Sequence, residues 1–373
     1  MPCRSDAAYV FTRVSGVGDS ALSGMRPTLS KRLIASVAIA LVAAAISAYG
    51  VREHGGKASD FTWFYRAGAA VVAGRSPYAA IDSTGPYPYN AGFYYTMPAA
   101  MLAVPFSFGD IEVDKVLWSA MLAGVLAFGL TRDGYWRLPL LMSFPMVWAS
   151  RAGQWAPLAM AAIYVPSLSC LAIGKPTLGL AVFAGFPSRR FVAWAAVAGV
   201  ASLAVSLRWP IEYLREVQAR TVGDYRIPIA TLPLGPLLLL GATRWRRPEA
   251  RVLLTMSLLP QTMLFYDQLL LGVAAKTFRQ ALIVGLWSYL PIAIAPLLPK
   301  PTDGSTAASA GIFAQLIVAT YYIPVLLLVL RRPNVGNDDP LVQPQNERTV
   351  TVAAQPDTDR LDCRLAAGRH RHA

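Results

Sequence analysis

Charge is what this sequence has least of. Only 15% of its 373 residues are Asp, Glu, Lys or Arg, against about 25% in soluble domains. The deficit is local: residues 33–51 carry no charged side chain at all. A run of that length matches the ~20 apolar residues needed to cross a bilayer core. Similar runs recur as far as Leu330, so a cleaved leader does not explain them. Cysteine is nearly absent. Cys3, Cys170 and Cys363 show no CxxC spacing, which excludes a disulfide framework or a zinc-ribbon site. Histidine is as scarce, and two of the three, His370 and His372, lie in an Arg-rich tail. No glycine-rich phosphate loop occurs. No Asp-x-Asp pair stands outside the tails, and Asp338-Asp339 belongs to the C-terminal one. Neither a nucleotide-sugar pocket nor a bound metal is therefore expected. No basic stripe with interleaved aromatics appears, so the formal net charge of +13 does not point to nucleic acid.

What is present is hydrophobicity, with 55% apolar residues and a mean hydropathy of +0.42. The first span is 33–51. Apolar stretches follow at 97–108, 116–130, 138–150, 156–173, 191–207, 229–241, 252–265, 269–275, 281–298 and 312–330, with 176–186 short enough to be re-entrant. This predicts an all-α polytopic membrane protein of roughly ten to twelve transmembrane helices, since open sheet edges are not tolerated in lipid. Residues 1–32 read as a cytoplasmic tail, 33–330 as the membrane domain, and 331–373 as a disordered cytoplasmic tail of mixed charge. Met25 opens a more ordinary N-terminus than Met1 does.

Orientation follows from the basic loops, which stay on the cytoplasmic side. Lys31 and Arg32, Arg132 and Arg137, Arg189 and Arg190, Arg244 to Arg251, Lys276 and Arg279, and Arg331 and Arg332 mark that side. Both termini are then cytoplasmic in a multi-pass protein of the cell membrane. The two long polar segments, 52–96 and 208–228, lie outside.

The first of these segments carries the most pattern. Asp60 follows the first span, then Tyr65-Arg66-Ala67-Gly68, Gly74-Arg-Ser-Pro-Tyr78, a tyrosine-rich loop, and Tyr95-Thr-Met-Pro98 before the next apolar run. Further on stand Gly153-Gln154-Trp155, Lys175-Pro-Thr-Leu-Gly179 and Trp209-Pro-Ile-Glu-Tyr213. This arrangement resembles the polyprenol-phosphate-dependent mannosyltransferases of glycosyltransferase family 87. That family opens with an acid, an aromatic pair with Tyr-x-Ala, Gly-x-x-Pro-Tyr and an aromatic-Tyr-Pro lead into the second span. Its later motifs are Gly-Gln and Lys-Pro-x-Leu-Gly. One departure is visible: the family often has Tyr-Pro-Pro where this chain has Tyr95-Thr-Met-Pro98.

The resemblance implies a GT-C-like helical bundle. It implies transfer of a hexose, most simply mannose, from a polyprenyl-phosphate sugar to a glycolipid or glycan acceptor at the outer surface. No cofactor is implied beyond the lipid-borne donor. Asp60 would be the general base, because an acceptor hydroxyl must lose its proton as it attacks. Tyr65, Arg66, Arg75, Tyr78, Tyr95, Gln154 and Lys175 would contact substrate, the cations facing the leaving phosphate. Plainer readings stand beside these. Tyrosines gather at membrane interfaces regardless of function, and Arg66 and Arg75 can anchor to lipid headgroups. Gln154 can be a satisfied interfacial amide, and Lys175 can sit at the cytoplasmic boundary. Asp267, between two apolar runs, has no assigned role. The alternative function is a transporter or lipid-linked sugar flippase, which places its ionisable groups near mid-span on broken helices.

The orientation makes a direct prediction. A membrane-impermeant thiol reagent applied from outside should modify a cysteine placed at Ser59 and spare one at Ser30. The opposite pattern would reject the map.

Overall fold

The computed structural model describes residues 27–53, 60–79, 92–220, 227–261, 265–298 and 306–334. Residues 1–26 and 335–373, which make up most of the two predicted tails, and the tyrosines and Asp82 of the segment 80–91 lie outside the described residues. The elements are helical: α1 (Leu29–Glu53), α2 (Phe61–Val72), α3 (Met97–Ala103), α4 (Ile111–Leu130), α5 (Phe144–Ala152), α6 (Ala156–Tyr164), α7 (Ser169–Ala172) and α8 (Pro176–Gly185). They continue with α9 (Arg189–Val205), α10 (Trp209–Arg220), α11 (Pro248–Leu258), α12 (Phe278–Trp287), α13 (Leu290–Ile294), α14 (Thr306–Ile317) and α15 (Ile323–Leu330). Among the described residues the one β element is the two-residue antiparallel pairing of Ile227–Pro228 with Pro260–Gln261.

Antiparallel packing of α1 on α4 forms one edge of the bundle. Its seam uses small residues. Ser36, Ala43, Ser47 and Gly50 form the buried stripe of α1, and a Cβ on Gly124 would lie 3.3 Å from that of Ala40. Helices in lipid gain no hydrophobic drive toward each other, so close backbone approach through small residues supplies the contact. Polar clips fix both ends. Arg32 donates to the Phe128 carbonyl at 2.7 Å and lies over the Phe128 ring. At the far end of α1, Glu53 pairs with Arg151 of α5. The Asp110 carboxylate starts α4 by accepting from the Glu112 and Val113 amides, the usual service of an N-cap.

Four helical stretches are long and apolar enough to cross a membrane: Leu29–Glu53, Ile111–Asp133, Phe278–Leu297 and Gly311–Leu330. A fifth is counted if α9 and α10, bent by 95°, form one broken span. The other apolar stretches are shorter than the ten-to-twelve-span expectation requires. The stretch 97–108 becomes seven-residue α3 and a 3₁₀ turn, and 156–173 breaks into α6, a turn and α7. Proline is the cause: Pro145, Pro157, Pro166, Pro176 and Pro248 each sit in the first turn of a new element. Proline is tolerated there, but it cannot donate to a preceding turn. The resulting short helices are packed inside the bundle, α6 being buried at nearly every position.

The basic positions predicted to be cytoplasmic gather at the end of the bundle that holds Arg32. Arg132 donates to the Tyr164 carbonyl, and Arg251 donates to the carbonyls of Ala184 and Gly185. At their centre is Glu249, 1% exposed at its side chain, with Arg332 at 3.0 Å, Lys276 at 3.5 Å and Arg247 at 3.7 Å. Burial pushes the Glu249 carboxyl upward, but Lys276 and Arg332 outweigh it and hold the group below its ordinary range.

Removing that charge should unfold this end. Glu249→Gln leaves three cations facing a neutral amide and should cost about 3–5 kcal/mol, the price of breaking a buried pair from one side. Thermal unfolding in detergent reads it. The sign in pH follows from the lowered pKa. The stabilisation is complete above the unfolded carboxylate value of about 4.3 and is lost as pH falls from there through the folded value. Glu249→Gln should lack that acid-dependent component.

Candidate functional site

Asp60 immediately precedes α2, and its carboxylate is 9% exposed. Its Oδ2 accepts from the side-chain amide of Gln154 at 2.6 Å. The same Gln154 uses its Oε1 to accept from the Tyr95 hydroxyl at 3.2 Å. The amide is 1% exposed and engaged at both ends, which fixes its orientation: nitrogen toward the acid, oxygen toward the phenol. Tyr95 is the hub of the next contacts. Its carbonyl accepts from the Tyr78 hydroxyl at 3.1 Å, and its ring lies 5.9 Å from the Lys175 ammonium.

Local sequence explains how these groups arrive together. Gly153 closes α5 in the left-handed region, φ 71°, where glycine is favoured. A Cβ there would also come within 2.8 Å of the Phe61 Cβ. The glycine thus turns the chain and lets the start of α2 dock on that turn, delivering Gln154 to Asp60. Trp118 of α4 locks the turn by donating its indole N–H to the Gly153 carbonyl at 3.0 Å. Phe64, one turn into α2, stacks against Trp118 and Trp155 at 5.4 and 5.5 Å and lies 4.6 Å from Tyr95. Aromatic contacts at these spacings add to the burial energy and form a rigid wall behind the carboxylate. The Trp155 indole N–H is buried and has no hydrogen-bond partner, an uncommon state for such a group.

The Lys-Pro segment reaches the same wall from below. Thr96 holds it: its amide donates to the Gly174 carbonyl at 3.1 Å and its hydroxyl to the Ile173 carbonyl at 2.8 Å. A proline at this position would have no amide to give, so the departure from Tyr-Pro-Pro has a structural use. A Cβ on Gly174 would strike the Trp155 ring at 2.4 Å. Lys175 then pairs with both oxygens of Asp267 at 2.7 Å and lies 4.9 Å from the Tyr266 ring centre. Lys175 is therefore on the Asp60 side of α8, and the opposite end of that helix, Gly185, meets the basic cluster. Phe265, two residues before Asp267, has φ 60°, which is strained for a bulky side chain. Its packing on Phe144 and Tyr321 holds it there.

The second predicted outside segment docks nearby. Glu212 of α10 accepts from the Ser76 hydroxyl at 2.6 Å, and Tyr213 packs on Tyr78. Burial, with Tyr213 and Glu212 alongside, pushes the Tyr78 hydroxyl well above its ordinary pKa, so it stays a neutral donor.

Not every candidate joins the set. Tyr65 donates to the Gly109 carbonyl at 2.9 Å, and Arg75 is exposed on the surface beyond α2. Arg66 is half-buried on α2. Asp267 was visible in the sequence as an acid between apolar runs, but nothing there named Lys175 as its partner. Phe61, Phe64 and Trp118 gave no signal beyond their apolar character.

The ion pair generates a sharp expectation. Lys175→Met should destabilise the fold by about 3–5 kcal/mol, because it strands a buried carboxylate. Adding Asp267→Asn should recover much of that loss, a coupling measurable by a double-mutant cycle of unfolding midpoints.

No protein-family model, no curated protein and no solved structure matches this chain.

Proposed function

We propose that the chain is an integral membrane glycosyltransferase of GT-C type. It moves a hexose, mannose in the first instance, from a polyprenyl-phosphate donor to a glycolipid or glycan acceptor on the extracytoplasmic face. The observation that carries this reading is the Asp60 carboxylate, buried against an aromatic wall and oriented by Gln154. A hydroxyl nucleophile needs a base held at a fixed position, and an acid gripped by an oriented amide meets that need. Aromatic faces such as Tyr95 and Trp155 suit a sugar ring. An acceptor or donor hydroxyl would satisfy the buried Trp155 N–H. The resemblance to glycosyltransferase family 87 adds to this through the same residues: Asp60, Tyr78, Tyr95, Gln154 and Lys175 come from three segments distant in sequence and meet within one cluster.

In the proposed reaction the acceptor oxygen attacks the anomeric carbon as its proton passes to Asp60. The bond from that carbon to the phosphate oxygen breaks, and its electron pair leaves with the lipid phosphate. No oxidant or reductant is needed.

One observation favours the alternative of a transporter or flippase. Ten-residue α8 covers only ~15 Å at 1.5 Å per residue, so the Lys175–Asp267 pair lies well inside the bundle. Charges at that depth on short, broken helices are a hallmark of transport pathways. Lys175→Met/Asp267→Asn separates the readings. A transport pathway loses its ionisable groups in that variant, whereas a base at Asp60 remains.

The decisive measurement is sugar transfer from radiolabelled polyprenyl-phosphate mannose in membranes containing the protein. Asp60→Asn keeps the shape, removes the base, and should lower transfer by about 10²–10⁴-fold. Asp60→Glu should recover little, because a shift of ~1 Å can itself cost around 10²-fold. Asp82→Asn serves as the loop control and should transfer normally. Retention of half or more of wild-type transfer by well-expressed Asp60→Asn removes Asp60 as the base.

A further inference from the structure

Lys115 is a buried cation that the reading above leaves unused. It lies in the second turn of α4 and is 1% exposed. Two neighbours on its face of the helix fix where it lies. Trp118 donates to the Gly153 carbonyl, and Ser119 donates to the Ser150 carbonyl at 2.8 Å. Lys115 is one turn nearer the Asp60 end of α4 than this pair, beside the turn that delivers Gln154. The charges that act on it are Asp60, Arg151 and Glu112. None of them is within ion-pair distance, and among the described residues its ammonium makes no hydrogen bond or salt bridge. Such a group is costly to bury without a partner.

Three other cations at this end are occupied or peripheral. Lys175 is taken by Asp267, Arg151 by Glu53, and Arg75 is exposed. Lys115 differs from all three, being buried, unpaired and within electrostatic reach of Asp60.

We propose that Lys115 binds the phosphate of the polyprenyl-phosphate sugar and neutralises it as the sugar departs. This rests on the glycosyl-transfer reading. In the donor the phosphate is a diester with one negative charge. When the bond to the anomeric carbon breaks, the bonding pair stays on the phosphate oxygen, and the product is a monoester with a second negative charge. The acceptor's proton goes to Asp60. A cation facing that oxygen therefore gains interaction energy as the transition state forms. It gives kcat as much weight as KM. A single ammonium is a point charge and needs no bidentate geometry, which suits a phosphate free to turn at the end of a lipid.

The test uses the purified full-length protein in nanodiscs and reads binding apart from turnover. Radiolabelled polyprenyl phosphate, the reaction product, is titrated against wild type, Lys115→Met and Lys115→Arg. Lys115→Met should weaken binding by roughly 10–100-fold, the range for losing a hydrogen bond to a charged group. It should lower kcat for mannose transfer as well as raising KM. Lys115→Arg should restore part of both. If removing one buried charge unfolds the protein, the Asp60→Asn background replaces wild type. Asp60→Asn alone should bind polyprenyl phosphate at least as well as wild type, and adding Lys115→Met should abolish the gain. Equal binding by Lys115→Met and its parent overturns the role of Lys115 and leaves the transferase reading intact. Wild-type protein that neither binds polyprenyl phosphate nor transfers mannose overturns both.

Discussion

The hydrogen bond from Gln154 to Asp60 joins parts of the chain that are 94 residues apart, and much of the local architecture exists to permit it. The amide reaches the acid because Gly153 turns in a conformation closed to most residues and leaves room for Phe61. That turn is held by the Trp118 indole, and Trp118 is held by α4 lying along α1. In a low-dielectric interior a hydrogen bond to a charged acceptor is strong, and an unpaired acceptor is expensive. The arrangement of α2, α4 and the α5–α6 turn is therefore coupled: disturbing one member exposes a charge that the others were built to satisfy.

Two ends of the molecule handle charge in different ways. At one end Glu249 is outnumbered by Lys276, Arg332 and Arg247. Arg244 and Arg247 spend further donors on the carbonyls of Leu330, Arg332 and Pro333. Positive charge there closes the ends of short helices and ties the last helix to the bundle. At the other end each acid has a single polar partner or a small set of them: Asp60 with Gln154, Asp267 with Lys175, and Glu212 with Ser76. Helix ends consume the first group of charges, whereas the second group surrounds tyrosine and tryptophan faces.

Between the ends, proline segmentation sets the geometry. Long helices would pass their side chains through the bundle at fixed intervals. Short ones begin and stop within it, and each start or stop brings backbone groups and a loop residue to an interior position. Thr96 with Gly174, Lys175 at the start of α8, and Phe265 just before Asp267 are all such places. The backbone is strained at Phe265, and surrounding aromatic packing offsets the cost.

Composition and hydropathy determined that the chain is helical and membrane-embedded, because a bilayer leaves no other way to satisfy the backbone of a long apolar run. The family resemblance marked Asp60, Tyr65, Arg66, Arg75, Tyr78, Tyr95, Gln154 and Lys175; contacts through Tyr95 and Gln154 link Asp60, Tyr78 and Lys175, while Tyr65 bonds to Gly109 and Arg75 is exposed. Span number was less legible. Hydropathy sums over a window and does not register how a proline divides it, so 97–108 and 156–173 read as longer elements than they form. Pairings were not legible at all. Lys175 with Asp267 and Thr96 with Gly174 link segments 92 and 78 residues apart. Nothing local distinguishes one buried lysine from another. Only the tertiary packing decides which charge is neutralised by a neighbour and which is left without an ion-pair partner, because that depends on distances between helices that a sequence does not contain.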